Sequence, residues 1–201
     1  MCNAPAACAA SMIVVIMGVS GSGKTVVGSQ LAKQLEWKFY DADDYHPIEN
    51  KEKMSRGTPL TDQDRQPWLC ELHEIIMREK ALGQHVVLSC SALKRAYRII
   101  LLTGATSLLP EKLHKKDDLS SETLFVHLHG SVEVLSQRLQ ERKGHFMPIM
   151  LLDSQIATLE PPSVPERFIT IDVDKDISLI VSAIQNEVAR KMMLVESAQT
   201  H

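Results

Sequence analysis

The chain has 201 residues, 44% of them hydrophobic and 23% charged, with 22 basic against 25 acidic residues and a net charge of −3. That length predicts one domain with enough apolar side chain for a sizeable core, and the charge balance excludes a strongly basic nucleic-acid binder and an acidic disordered chain. The longest apolar run, Met12 to Met17, is six residues, far below the roughly 20 of a membrane-spanning helix, so a soluble protein is expected.

Residues 1–11, MCNAPAACAAS, have small, uncharged side chains. They lack the basic start and apolar stretch of a secretory signal and the arginines of a transit peptide, so a disordered extension and a cytoplasmic protein are expected. Cys2 and Cys8 lie in this tail, Cys70 and Cys90 in the body, and no C-x-x-C pair occurs. Free thiols in a reducing compartment are therefore expected, not a zinc or redox site.

From residue 12 onward, short apolar runs alternate with amphipathic stretches, the pattern of βαβ units and a parallel sheet. The run Met12–Met17 predicts the first strand, and its continuous apolar character fits a strand covered on both faces. Gly18-Val19-Ser20-Gly21-Ser22-Gly23-Lys24-Thr25 follows and fits G-x-x-x-x-G-K-[ST] at every position. Glycines let the backbone turn its N–H groups inward toward phosphate, and the helix start adds partial positive charge. Lys24 is expected on the β and γ phosphates and the Thr25 hydroxyl on Mg²⁺, so a nucleoside triphosphate with Mg²⁺ is the expected ligand. The helix Lys24–Leu35 carries Val27, Leu31 and Leu35 on one face.

A second strand, Trp37–Tyr40, runs into Asp41-Ala42-Asp43-Asp44-Tyr45-His46-Pro47. Ligands of a parallel sheet bind at the carboxyl ends of its strands. Alternate strand residues share a face, so Asp41 and Asp43 are expected together on the phosphate-loop rim. One can hold a metal-bound water and the other accept a proton from an attacking hydroxyl; a solvated acidic turn before a helix near Pro47 is the plainer reading. Lys53, Arg56 and Arg65 offer cations near Asp62 and Asp64, although a solvated charged helix also accounts for Lys51–Lys53. Asp62–Leu82 predicts a long helix. His85–Cys90 predicts the third strand, which ends in Ser89-Cys90-Ser91 without the aspartate of motor and GTPase strands. Asp41 is therefore the candidate for tending the metal. Ser91 either approaches substrate or caps a helix over Ala92–Leu102. Thr103–Glu122 reads as a surface loop, Leu124–Leu128 as the fourth strand and Val132–Arg142 as a helix. Arg138 and Arg142 share a face of that helix, and with Lys143 and His145 could close over a transferring phosphoryl group. Phe168–Val173 predicts the fifth strand and Lys175–Met193 the last helix.

The blocks GVSGSGKT, WKFYDADDYHP, KMSRGTPLTDQDRQPWL, VVLSCSALKRAYR, RKGHFMP and TLEPP together resemble gluconokinase over about residues 12–193. The resemblance implies ATP-dependent phosphorylation of D-gluconate at its 6-hydroxyl, in carbohydrate catabolism and the pentose phosphate pathway. It also implies an α/β fold of the P-loop, nucleoside-monophosphate-kinase-like type, with five parallel strands flanked by helices and a lid at about 138–148. Residues 12–193 would then form a single kinase domain and 194–201 a tail. By the same reading, Lys24, Asp43, Asp41 and Arg142 are catalytic. Gly18 to Thr25 and Arg138 bind ATP, and Asp43, His46, Arg65, Ser91, Lys94 and His145 bind gluconate. Thr25 and Asp41 hold Mg²⁺. No nucleic acid or membrane partner is expected, and a homodimer stays open. Two other readings remain: a shikimate-kinase-like enzyme, which should carry a glycine-rich loop where Ser89-Cys90-Ser91 stands, and a nucleotide-binding module without turnover.

Overall fold

Continuous burial of Ile13–Met17 makes β1 the centre of the molecule, with every residue of the strand shielded on both faces. The computed structural model describes residues 11–105, 118–141 and 150–199. Five parallel strands form one sheet: β1, β2 (Lys38–Asp41), β3 (Val86–Ser89), β4 (Thr123–His129) and β5 (Phe168–Asp172), in the order β2-β3-β1-β4-β5. Ile13 pairs with Val86 on one side and Thr123 on the other, and Asp41 lies level with Ser89. From β1 the chain goes to the edge at β2, returns to β3 beside β1, then reverses to β4 and β5 on the other side. That reversal opens a crevice at the carboxyl ends of the strands, where α/β sheets bind ligands.

The two-residue period of β1 divides the core. Val14 and Ile16 pack with Val27 and Leu31 of α1 (Lys24–Leu35) and with Ile180, Val181, Ile184 and Val188 of α7 (Ile177–Gln199). Ile13, Val15 and Met17 pack on the opposite face with Trp68, Leu69, Leu72 and Ile76 of α3 (Asp62–Ala81) and Tyr97 and Leu101 of α4 (Arg95–Thr103). Gly28 sits where α1 crosses β2: a Cβ there would lie 2.8 Å from the Phe39 ring. α5 (Val132–Glu141) completes the expected set of helices.

Several local differences from the sequence reading stand out, one being that α7 runs on to Gln199 through most of the expected tail 194–201. β2 ends one residue later than expected, at Asp41, and leads into a 3-10 turn, Ala42–Tyr45. α4 starts at Arg95 instead of Ala92, because Ala92 adopts φ 44°, a left-handed backbone that no helix contains. α2 (Ile48–Ser55) is the charged helix expected near Pro47 and buries only Asn50, whereas α6 (Met150–Thr158) is an added element whose apolar residues form no single stripe. In the predicted loop 103–122, residues 106–117 lie outside the described residues. At its end Leu119 is buried, its N–H donating to Leu102 O at 3.0 Å, and Glu122 pairs with Lys80 at 2.8 Å. Among the described residues no helix is long and apolar enough to cross a membrane.

Candidate active site

The loop between β1 and α1 has the backbone that its glycines allow. Gly18, Gly21 and Gly23 carry φ of 144°, 81° and 88°, and a Cβ on Gly18 would meet Leu128 O at 2.7 Å. Gly18 N–H donates to Ser91 O at 3.3 Å, so the loop is tied to the exit of β3. The Lys24 ammonium donates to Val19 O at 3.0 Å and so lies over the turn of its own loop. Ser20 N–H, in the same turn, donates to Gln155 Oε1 of α6 at 2.7 Å.

Thr25 begins α1 beside the end of β2, and its hydroxyl donates to Asp41 Oδ2 at 2.7 Å. The other carboxylate oxygen of Asp41 accepts Asp43 N–H at 3.1 Å and caps the 3-10 turn. Asp43 is therefore not on the strand, and the strand-alternation argument for the pair fails. What brings both acids to one rim is the turn: Asp43, Lys24 and Asp41 all act electrostatically on the Cys90 thiol, which burial pushes up to about 12. A hydroxyl and a carboxylate in contact suit Mg²⁺, which takes few protein ligands and completes its shell with phosphate oxygens and water. No group of three or more His, Cys, Asp or Glu that could hold a metal gathers among the described residues.

Across the rim, α3 begins with a capping box between Thr61 and Asp64. Lys53 lies 2.6 Å from Asp64, and that ammonium with the Thr61 N–H and hydroxyl holds the Asp64 carboxyl down to about 2. Lys53 is thus tied to the helix start. Asp62 faces the opposite way: it accepts Lys94 Nζ at 2.8 and 2.9 Å and the Tyr97 hydroxyl, and these bonds lower its pKa. The Tyr97 ring lies 5.5 Å from the Arg65 guanidinium and 5.6 Å from Lys94 Nζ, so Arg65 and Lys94 meet on one aromatic platform. Arg65 Nη1 also donates to Leu60 O. His46 is stacked on Trp68 at 4.0 Å, while Trp68 Nε1 donates to Ala42 O at 2.8 Å. Burial, then the charges of Arg65 and Lys51, lower the His46 pKa to about 4, so its ring is neutral at pH 7. Its Nδ1 has no partner among the described residues.

Ser91 does not cap α4. Its carbonyl is on the phosphate loop, and Glu160 of the TLEPP block does the capping instead. Glu160 Oε2 accepts Arg95 N–H at 2.7 Å, its N–H donates to Leu93 O at 2.8 Å, and its carbonyl accepts Arg98 Nη1 at 2.8 Å. The end of α6 is thereby clamped to the β3 exit. Between the segment leading into α3 and α6 lies a cleft with Pro59, Leu60 and Arg65 on one wall and Ser154, Gln155 and Thr158 on the other. Tyr97, Gln155 and Glu160 escape sequence reasoning as site residues; the TLEPP block marks Glu160 without saying what it does. Arg138 Nη2 donates to Val173 O at 2.7 Å, at the β5 side of the rim. Arg142 and His145 lie outside the described residues.

Residues 20–160 match the family described as shikimate kinase. A protein named "Probable gluconokinase" from Xenopus tropicalis is 80% identical over 188 residues, covering 94% of this chain and 99% of that protein. A gluconokinase from Gluconobacter oxydans is 45% identical over 171 residues, covering 85% and 88% of the two chains. The crystal structure of a gluconokinase from Sinorhizobium meliloti superposes with a TM-score of 0.75 at 41% identity, covering 96% of this chain and 99% of that one. Its phosphate loop, five-stranded parallel sheet and near full-length relatives agree: the chain belongs to the gluconokinase family of shikimate-kinase-like P-loop kinases.

Proposed function

We propose that the chain transfers the γ-phosphoryl group of ATP to the 6-hydroxyl of D-gluconate. The observation carrying this reading is the cleft that places Arg65 opposite α6, whose Gln155 touches the phosphate loop. A guanidinium clamps a carboxylate in two-point fashion, which suits a sugar acid, and Lys94 on the same Tyr97 ring adds a second cation. Neutral His46 and Ser91 complete the acceptor side, with His145 assigned to it from the lid.

On the donor side, the loop of Gly18, Val19, Ser20, Gly21, Ser22, Gly23, Lys24 and Thr25 wraps the phosphates with the N–H groups that Ser91 O and Gln155 Oε1 leave open. Lys24 leaves the Val19 carbonyl to meet the β and γ oxygens. Arg138 and Arg142 close over the nucleotide and balance charge on the moving phosphoryl group. Thr25 and Asp41 hold Mg²⁺, and their contact supports that assignment. When bound, the ion neutralises phosphate charge. Asp43 orients the 6-hydroxyl and accepts its proton as the oxygen attacks phosphorus, the leaving electron pair passing to ADP. Free Cys70 and Cys90 support a reducing compartment, and we assign the cytoplasm.

ADP release measured with gluconate, glucose, shikimate, nucleoside monophosphates and no acceptor tests the reading. Turnover should be strong with gluconate alone, because an acceptor without a carboxylate gives the Arg65 guanidinium nothing to clamp. Comparable rates with gluconate and glucose would remove the acceptor assignment.

A further inference from the structure

α6 reaches both halves of the site through one side chain. Ser20 N–H can be met only by the oxygen of the Gln155 amide, so the 2.7 Å bond fixes which end of the amide faces the phosphate loop. The amide nitrogen is left as a donor without a partner among the described residues, and Gln155 lines the cleft that Arg65 also lines. Lys24 Nζ lies on Val19 O, so Ser20 belongs to the turn that meets the phosphoryl end of the nucleotide. Arg65 marks the carboxylate end of the acceptor. The α6 backbone is rigidly placed between them: Leu152 is fully buried, Ile156 packs on the core, and Glu160 clamps the chain beyond the helix to Leu93, Arg95 and Arg98.

We propose that Gln155 is a specificity-determining residue: its Nε2 donates to the acceptor hydroxyl on the carbon next to the phosphorylated one, while its Oε1 stays on Ser20 N–H. The residue thus measures the acceptor against the phosphate loop, and it selects a chain with vicinal hydroxyls at the reacting end. This inference rests on the gluconate reading above.

The test compares kcat/KM for D-gluconate and 5-deoxy-D-gluconate in the unsubstituted protein, Gln155→Leu and Gln155→Glu. The glutamate keeps an oxygen for Ser20 N–H and replaces the amide donor with a charged acceptor oxygen, so it remains informative if the leucine variant fails to fold. The unsubstituted enzyme should favour gluconate by about tenfold, the value of one well-made hydrogen bond. That preference should collapse toward unity in both variants. Persistence of the preference in Gln155→Glu overturns the inference, as does an unsubstituted enzyme that does not distinguish the two acids. An effect confined to the KM for ATP overturns it too, leaving Gln155 a tether of the loop. Absence of gluconate turnover in the unsubstituted enzyme instead removes the underlying reading, so the two failures are distinct.

Discussion

Asp41 joins three pieces of chain through one carboxylate: Thr25 at the start of α1, the end of β2 and the 3-10 turn that carries Asp43. The two acids therefore have separable roles, and exchanging either for its amide separates them. Asp43→Asn should lower kcat by roughly 10²–10⁴, the span of a positioned acid–base group, with ATP affinity little changed. Asp41→Asn should instead raise the Mg²⁺ concentration for half-maximal activity by about tenfold or more, because the amide lacks the charge a hard cation prefers. Activity titrations against Mg²⁺ and ATP distinguish them; exchanged phenotypes would reverse the assignments. Lys24→Ala should abolish most turnover while leaving the far-ultraviolet circular dichroism unchanged, since the hydrogen bond from its ammonium goes to Val19 O of its own loop. Near-normal kcat in that variant would contradict its placement on the phosphates.

Among the elements, α4 is held by a buried arginine. Arg98 is 1% exposed and donates to both Glu166 oxygens at 2.6 and 3.0 Å, to Ala92 O at 3.1 Å and to Glu160 O at 2.8 Å. The guanidinium thereby ties the β3 exit to the segment after α6, the two walls that fix Lys94 and Gln155. Removing one partner of a buried pair strands the other, so Arg98→Met should destabilise the protein by about 3–5 kcal/mol in urea unfolding. The double variant Arg98→Met, Glu166→Gln should lose clearly less than the sum of the single effects; simple additivity would mean the pair is not coupled. Sequence periodicity shows α4 as an amphipathic helix but starts it three residues early. Nothing local to Ala92-Leu93-Lys94 announces that Glu160, 65 residues further on, supplies the cap at Arg95.

For the whole molecule, acid sensitivity follows from two buried histidines on different sides of the fold. His46 and His127 are 8% and 3% exposed, and burial lowers both pKa values to about 4. Charge from Arg65 and Lys51 adds to the effect at His46, and charge from His129 and Arg98 at His127. Unfolded, each ring takes a proton near pH 6.5; folded, it resists until about 4. The unfolded chain thus binds more protons between these values, so stability is full above pH 6.5 and falls as pH drops toward 4. From pH 7 to 5 each histidine should remove about 1–2 kcal/mol. Urea midpoints at the two pH values should differ accordingly, and His127→Asn should show about half the difference. The depressed carboxylates Asp62 and Asp64 act below this window. A midpoint independent of pH from 7 to 5 would contradict the burial argument.

The sequence by itself determined the parts whose cause is local. A continuous apolar run makes β1, glycine spacing makes the phosphate loop, and amphipathic periods make α1, α3 and α7; all five strands lie where their apolar runs predict. The phosphate loop and the acidic block were legible because each is a contiguous string with a backbone or charge requirement at every position. Tertiary structure alone decided the strand order β2-β3-β1-β4-β5, which sets Asp41 level with Ser89 and brings Thr25 to its carboxylate. It also decided the acceptor wall, because Ser20 and Gln155 are 135 residues apart and Arg65 and Tyr97 belong to different helices. α6 stayed hidden for a related reason: with apolar residues around its whole circumference it has no stripe to detect. Its burial, and with it the direction of Gln155, exists only once the core beneath Leu152 and Ile156 has formed.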